Sequence, residues 1–158
     1  MTKIDLYSDE KYSFIAAAYQ LADTRHTGGA GNVIARCAVD SEKFPVVILD
    51  DEGNLVGFFC LHIGKGPEQY GFSGEDVILL RAFSIDDRFR RQGYASSALT
   101  GLPALIHEQI SSQIHQIVLA VNAENIVAQK TYEKAGFDRL PQVFEGTLGP
   151  LLIMEKAI

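Results

Sequence analysis

The stretch Ile85-Asp86-Asp87-Arg88-Phe89-Arg90-Arg91-Gln92-Gly93-Tyr94-Ala95 lies between an apolar, strand-like run and a helical pattern. A helix N-terminus offers unpaired backbone N–H groups and a partial positive charge, and Gly93 with the small Ala95 lets a ligand approach the main chain closely. The neighbouring arginines add local positive charge. The segment therefore predicts a phosphate site at a strand–turn–helix junction, although Arg-x-x-Gly-x-Ala alone also fits a solvated basic loop that caps a helix.

Outward from this junction, hydrophobic periodicity and turn residues predict the remaining elements. The two β-rich runs around Gly53 and Asn54 form a hairpin that the strand before the junction extends into an antiparallel meander, and Pro103 is expected to kink the helix after it. From the N-terminus we predict a strand at 3–7, helices from Ser8 and over 33–38, strands at 46–49, 55–61 and 77–85, a helix at 93–110, a strand at 114–121, a helix at 122–135, and strands at 137–144 and 151–156.

Composition narrows the class of protein. A chain of 158 residues with 47% hydrophobic residues fits one soluble domain, residues 1–158. The net charge of −6 leaves no global positive field for nucleic acid or an anionic membrane. Charges at Lys3 and Asp5 and the lack of about 18 consecutive apolar residues argue against a secretory signal or a membrane span. We expect a cytoplasmic protein whose Cys37 and Cys60 fill the core as free thiols.

A second informative segment runs from Val121 to Phe137. On a helix, Asn125, Ala128 and Tyr132 stand at i, i+3 and i+7, which aligns an amide, a small side chain and a phenol on one face. A slender ligand could lie along that face. The alternative is that Tyr132 is an ordinary core aromatic and Asn125 a first-turn polar residue.

Taken together, the two segments resemble the signature of the GNAT superfamily of N-acetyltransferases. The matching positions are Arg90, Gly93 and Ala95 in the first segment, and Asn125, Ala128, Tyr132, Gly136 and Phe137 in the second. The resemblance is close from Val77 to Phe137. It implies an α+β fold, an α/β/α sandwich, whose mixed, mostly antiparallel sheet of roughly seven strands is splayed between strands 4 and 5, with helices on both faces.

The resemblance also implies a cofactor site for acetyl-CoA and no metal. Main-chain N–H groups would hold the diphosphate, helped by the guanidinium groups of Arg90 and Arg91; these N–H groups belong to Arg91, Gln92, Gly93, Tyr94, Ala95 and Ser96. The main chain of Phe83 and Ile85 would pair with the pantetheine arm, an N–H near Phe83 would polarise the thioester carbonyl, and Asn125 would hold the arm from the other side. The family commonly has glycine where this chain has Arg91.

The same resemblance makes Tyr132 the general acid. A phenol with an ordinary pKa near 10 is protonated at neutral pH and can give a proton to the departing thiolate. The incoming primary amine must first lose a proton, and the sequence does not identify the base. Glu75, Asp76 and His62 are candidates, although each is more often an ordinary loop carboxylate or a satisfied histidine.

The predicted function is transfer of an acetyl group from acetyl-CoA to a primary amine of a small molecule, which could be polyamine-like. The alternatives are a protein or peptide N-acetyltransferase and a non-catalytic acyl-CoA-binding module. No Cys or His pair has zinc-site spacing and no Gly-x-Ser-x-Gly elbow occurs, which argues against metal and serine hydrolases. The expected partner is a small amine, with no nucleic acid and no membrane, and a homodimer remains open.

Overall fold

The computed structural model describes residues 2–8, 10–12 and 40–158, and its elements are numbered within those ranges. They are β1 (Lys3–Leu6), β2 (Lys43–Leu49), β3 (Leu55–His62), α1 (Lys65–Glu68), β4 (Val77–Ile85), a 3-10 helix (Asp87–Phe89), α2 (Tyr94–Gln109), β5 (Gln116–Asn122), α3 (Ile126–Lys134), β6 (Asp138–Gly146) and β7 (Gly149–Ala157). No helix among these residues is long and apolar enough to cross a membrane.

The seven strands form one sheet in the order β1-β2-β3-β4-β5-β7-β6. All neighbours are antiparallel except β4 and β5, which run parallel because the chain crosses over through α2 between them. The predicted meander of β2, β3 and β4 and the predicted mixed sheet of the α+β class are therefore confirmed.

The main core lies on the sheet face that α2 and α3 cover, which we call the α2 face. Alternate strand residues such as Phe59, Leu80 and Leu119 point into it, and α2 contributes residues at helical spacing. The buried α2 residues are Ala98, Leu99, Leu102, Leu105 and Ile106. Their periodicity explains why this segment is a helix although it contains Pro103, whose expected kink stays a prediction.

The opposite face of the sheet is covered by the short helix α1 and by the start of the N-terminal helix. Tyr12 packs there against Phe58 and against Cys60, which is buried. Residues 10–12 are helical, and Lys11 N–H donates to Ser8 Oγ at 3.4 Å, so Ser8 begins this helix as predicted. The rest of that helix, the predicted helix at 33–38 and Cys37 lie outside the described residues.

Two boundaries differ from the sequence prediction by more than two residues. β2 begins at Lys43, so Pro45 lies inside the strand rather than at a break. Its nitrogen and carbonyl point to the β1 side, where Tyr7 N–H donates to Pro45 O just beyond the last residue of β1, so the missing N–H removes no bond to β3. α3 begins at Ile126, since residues 122–125 form a turn that Asn125 ends as the N-cap.

Candidate functional site

β4 and β5 separate midway along the sheet. They pair only from Val77↔Gln116 to Leu80↔Leu119. Beyond that point β4 continues to Ile85 alongside β3, and β5 continues to Asn122 alongside β7. We call this opening, between residues 81–85 and residues 120–122, the splay. Within the described residues, the main chain of β4 on this side pairs with no strand, which leaves the backbone of Phe83 and Ile85 available to a ligand.

A bulge in β4 sets the direction of the side chains at the splay. Phe58 pairs with Ser84 and Cys60 with Arg81, so β4 has one residue more than β3 here. The extra residue is Ala82, whose φ of 56° lies in the left-handed region. Past the bulge, Phe83 therefore points to the α2 face, where its ring stacks on Phe59 at 5.4 Å.

The N-terminus of α2 carries no side-chain cap. Its N-cap Gly93 has φ 83°, and the first intrahelical bond runs from Ser97 N–H to Gly93 O at 3.0 Å. The N–H groups of Tyr94, Ala95 and Ser96 therefore have no intrahelical acceptor. A Cβ built on Gly93 would meet no atom within 4 Å, so the space above the turn is open. These groups and the helix dipole suit an anion.

The five arginine and aspartate residues after β4 are not equally available to a ligand. Arg88 Nη2 lies 2.9 Å from Asp86 Oδ2, and Arg90 Nε lies 3.1 Å from Asp87 Oδ1. Arg91 is exposed, makes no ion pair with a described residue, and has φ 63° at the position where the family commonly has glycine. Of the two predicted phosphate arginines, Arg91 is therefore the more accessible, while Arg90 is engaged by Asp87 through Nε.

Tyr132 is held at the splay by two aromatic rings. Its ring centroid is 6.1 Å from that of Phe83 and 5.8 Å from that of Phe137, both in edge contacts. Gly136, with φ 94°, ends α3 and brings Phe137 back against Tyr132. Burial raises the pKa of the Tyr132 phenol well above its ordinary value of 10, so the hydroxyl stays protonated.

Two asparagines fix the chain on the other side of the splay through hydrogen bonds to the backbone. Asn125 Oδ1 accepts from Ala128 N–H at 3.2 Å as the N-cap of α3, so its Nδ2 is the donor that it can offer to a ligand. Asn122, at the end of β5, is 5% exposed, and its Nδ2 donates to Leu148 O at 2.8 Å. The sequence analysis did not single out Asn122; a polar residue ending a buried strand was the available signal.

The candidate bases lie away from the splay or are occupied. Glu75 and Asp76 precede β4, at the far end of its paired stretch. Arg81 is five positions after Asp76 along this extended chain, a distance of about 16 Å. His62 Nδ1 lies 3.2 Å from Arg81 Nη1. A guanidinium can only donate, so Nδ1 accepts and Nε2 carries the hydrogen. Its lone pair is engaged, and none of the three is placed to deprotonate an amine at the splay directly.

A cluster beside His62 resembles a metal site only in outline. One ligand atom each from Asp40, Glu42 and His62 lies within 4.8 Å of the others, and His62 Nε2 is buried without a hydrogen-bond partner. Burial, and then the charge of Arg81, lower the pKa of His62, so the ring is neutral. Because Arg81 fixes the hydrogen on Nε2, the imidazole as placed offers no lone pair to a metal ion.

Comparison with known proteins identifies the family. The model of the acetyltransferase (GNAT) family matches residues 6–137. A curated protein of Bacillus subtilis (strain 168), the uncharacterized N-acetyltransferase YbbJ, is 33% identical over 132 residues, which cover 84% of this chain and 81% of that protein. The chain therefore belongs to the GNAT family of acetyltransferases.

Solved structures share the fold at low sequence identity. The aminoglycoside acetyltransferase AAC(6')-Ib in complex with paromomycin and acetyl-CoA has a TM-score of 0.76 at 17% identity, covering 99% of this chain and 93% of that one. The spermidine N-acetyltransferase of Vibrio cholerae in complex with CoA and spermine has a TM-score of 0.69 at 17% identity, covering 99% and 95%. These similarities support the fold seen in the described residues.

Proposed function

We propose that this chain is a single-domain N-acetyltransferase that transfers the acetyl group of acetyl-CoA to a primary amine of a small molecule. One observation carries the proposal: the splay between β4 and β5 has the uncapped N-terminus of α2 beyond the end of β4 and the phenol of Tyr132 beside Phe83. A phosphate site, an unpaired strand edge and a proton donor are thus parts of one region.

The turn before α2 would hold the diphosphate of the cofactor. Its donors are the main-chain N–H groups from Arg91 to Ser96, including Gln92, and the open space above Gly93 admits a phosphate. The guanidinium of Arg91 would add a charge-assisted hydrogen bond. Acetyl-CoA would supply the acetyl group as a thioester.

The edge of β4 would orient the pantetheine arm. The main chain of Phe83 and Ile85 would pair with the amides of the arm as an added strand would, and Asn125 Nδ2 would donate to it from the other side of the splay. A main-chain N–H near Phe83 would polarise the reacting carbonyl, since a fixed donor in a site closed to water stabilises developing negative charge.

Tyr132 would act on the departing sulfur. Its raised pKa keeps the phenol protonated, so it can donate a hydrogen bond and then its proton as the carbon–sulfur bond breaks. An ordinary thiol has a pKa near 8.5, below that of a phenol, so the proton on Tyr132 must be restored at once. The proton released by the amine nitrogen restores it, and the overall products are an amide and a thiol.

The acceptor is proposed to be a small amine, with polyamine-like molecules included. The acidic chain, with a net charge of −6, tolerates a cationic substrate. Two proteins of the same fold were solved with amine-bearing ligands, paromomycin and spermine. Since no described side chain is placed to take the ammonium proton directly, we propose that water carries it away.

The test is release of free thiol. Purified protein is incubated with acetyl-CoA and a panel of small amines, and calorimetry with CoA is run in parallel. Thiol release that depends on an amine supports the proposal. Release with N-terminal peptides alone would point to protein acetylation, and heat with CoA without release on any acceptor would point to a binding module. Absence of heat with CoA would reject the proposed cofactor.

A further inference from the structure

Asp86 is the first residue after β4, and its carboxylate is completely buried, with 0% exposure. Oδ1 accepts from the backbone N–H and from Nε of Arg88, both at 3.0 Å, and Oδ2 accepts from Arg88 Nη2 at 2.9 Å. The Asp86 N–H donates to Val56 O at 2.8 Å, which ties this residue to β3. We call this unit of Asp86 and Arg88 the clasp.

The clasp is connected to the N-terminus of α2 through aromatic contacts. Arg88 Cζ lies 5.5 Å from the centre of the Phe89 ring, and Phe89 makes an edge contact with Tyr94 at 6.4 Å. Tyr94 is the first residue of α2, and its N–H is one of the unpaired donors at the turn. The clasp therefore fixes one end of the turn against the sheet.

The turn between the clasp and α2 contains a residue in an unfavourable backbone conformation. Arg91 has φ 63°, in the left-handed region that a side chain other than glycine adopts at a cost. Such a conformation persists where the surrounding structure holds it. The bidentate pair of the buried Asp86 and the half-exposed Arg88 is the rigid feature just before it in the chain.

We propose that Asp86 is a positioning residue, which acts through Arg88 to keep the turn from Arg91 to Ser96 in its phosphate-binding shape before the cofactor arrives. The proposal rests on the proposed function. It assigns Arg88 to the scaffold of the turn, whereas Arg90 and Arg91 remain available to the ligand.

The direction in which one substitution changes CoA affinity distinguishes this role from a simple effect of charge. Asp86→Asn and Asp87→Asn each remove one negative charge close to a site for an anionic ligand, so charge alone predicts equal or tighter binding of CoA in both. Loss of the clasp predicts that Asp86→Asn weakens CoA binding about tenfold, because Asn keeps Oδ1 but replaces Oδ2 with an amide donor facing Arg88 Nη2, so the bidentate, charge-assisted pair is lost. Asp87→Asn, which releases Arg90, should not weaken it.

The experiment measures CoA affinity by calorimetry for the wild type, Asp86→Asn, Asp87→Asn and the conservative variant Arg88→Lys, which keeps the charge but loses the bidentate fork. The kcat/KM for acetyl-CoA is then compared with that for S-acetylpantetheine, which lacks the diphosphate. We expect kcat/KM for acetyl-CoA to fall in Asp86→Asn and in Arg88→Lys, while kcat/KM for S-acetylpantetheine is unchanged. The variant that carries both substitutions should lose no more kcat/KM for acetyl-CoA than Asp86→Asn alone.

The outcomes are distinct. Wild-type protein that gives no heat with CoA would reject the proposed function itself. Wild-type binding with unchanged affinity in Asp86→Asn and Arg88→Lys would overturn the role of the clasp alone, as would equal losses for both acetyl donors. If Asp86→Asn fails to fold, as judged from its thermal transition, Arg88→Lys decides by the same comparison.

Discussion

Replacing Tyr132 by Phe removes one oxygen atom from the centre of the site and leaves the packing in place. The ring stays between Phe83 and Phe137, whose centroids lie 6.1 and 5.8 Å away. The hydroxyl makes no hydrogen bond to a described residue, so its removal strands no partner. We therefore expect the free energy of unfolding to change by no more than about 0.5 kcal/mol.

The same substitution removes the proposed proton donor. General acid catalysis by a positioned side chain accelerates a reaction about 10²-fold or more, so kcat should fall by at least that factor. This corresponds to an activation barrier raised by about 2.7 kcal/mol or more, with CoA affinity unchanged. By contrast, Tyr132→Ala would also empty the aromatic contact, with a loss of about 3 to 5 kcal/mol in stability. The phenylalanine variant therefore isolates the chemistry from the fold.

The assay is initial-rate thiol release at saturating acetyl-CoA, beside calorimetry with CoA and a thermal melt. Tyr12→Phe is the matched control, because it removes another buried phenol on the opposite face of the sheet and should leave kcat unaltered. Turnover of Tyr132→Phe within threefold of wild type would refute the role of the phenol. Lost CoA binding in that variant would show that the hydroxyl serves binding instead.

Three further predictions concern stability. Burial, helped by the hydrogen bond to Asp5, raises the pKa of Tyr12 from 10.0 to about 12. The protonated phenol therefore contributes fully to the free energy of unfolding below pH 10, and this contribution is lost as pH rises to about 12. Urea midpoints should fall across that window, and less steeply in Tyr12→Phe. A Cβ at Gly57 would lie 2.9 Å from the backbone Ser84 O, so Gly57→Ala should destabilise by about 1 to 3 kcal/mol. Gly101→Ala lies inside α2, where the added Cβ would come no closer than 3.5 Å to another atom, so it should instead stabilise the fold by up to about 1 kcal/mol. Thermal melts measure both changes, and a stabilised Gly57→Ala or a destabilised Gly101→Ala would contradict them.

Much of the fold could be predicted because it depends on local patterns. The apolar runs of β3 and β4, the turn at Gly53 and the helical spacing of α2 follow from residues close together in the chain, and each corresponds to an observed element. The paired motifs around Gly93 and Tyr132 also indicated the family, which the comparisons confirm.

The features that were missed depend on contacts between distant residues or on unusual backbone. Nothing in the sequence marks Ala82 as left-handed, since an alanine rarely adopts that conformation. The bond between Arg81 and His62 joins two strands, and it alone shows that the imidazole lone pair is engaged. Nothing in the sequence distinguishes the adjacent Asp86 and Asp87, whereas in the fold Asp86 is completely buried and Asp87 is only partly buried.

The bulge at Ala82 has a consequence for substitutions at this position. Arg81 and Ala82 lie on the same face of the sheet, so an ordinary extended conformation at Ala82 would restore strict alternation and transfer Phe83 and Ile85 to the reverse side, although strand order and every loop would be preserved. Tyr132 would then lose the ring against which it rests. A natural variant with a β-branched residue at this position, which disfavours the left-handed region, would keep its architecture and be catalytically silent.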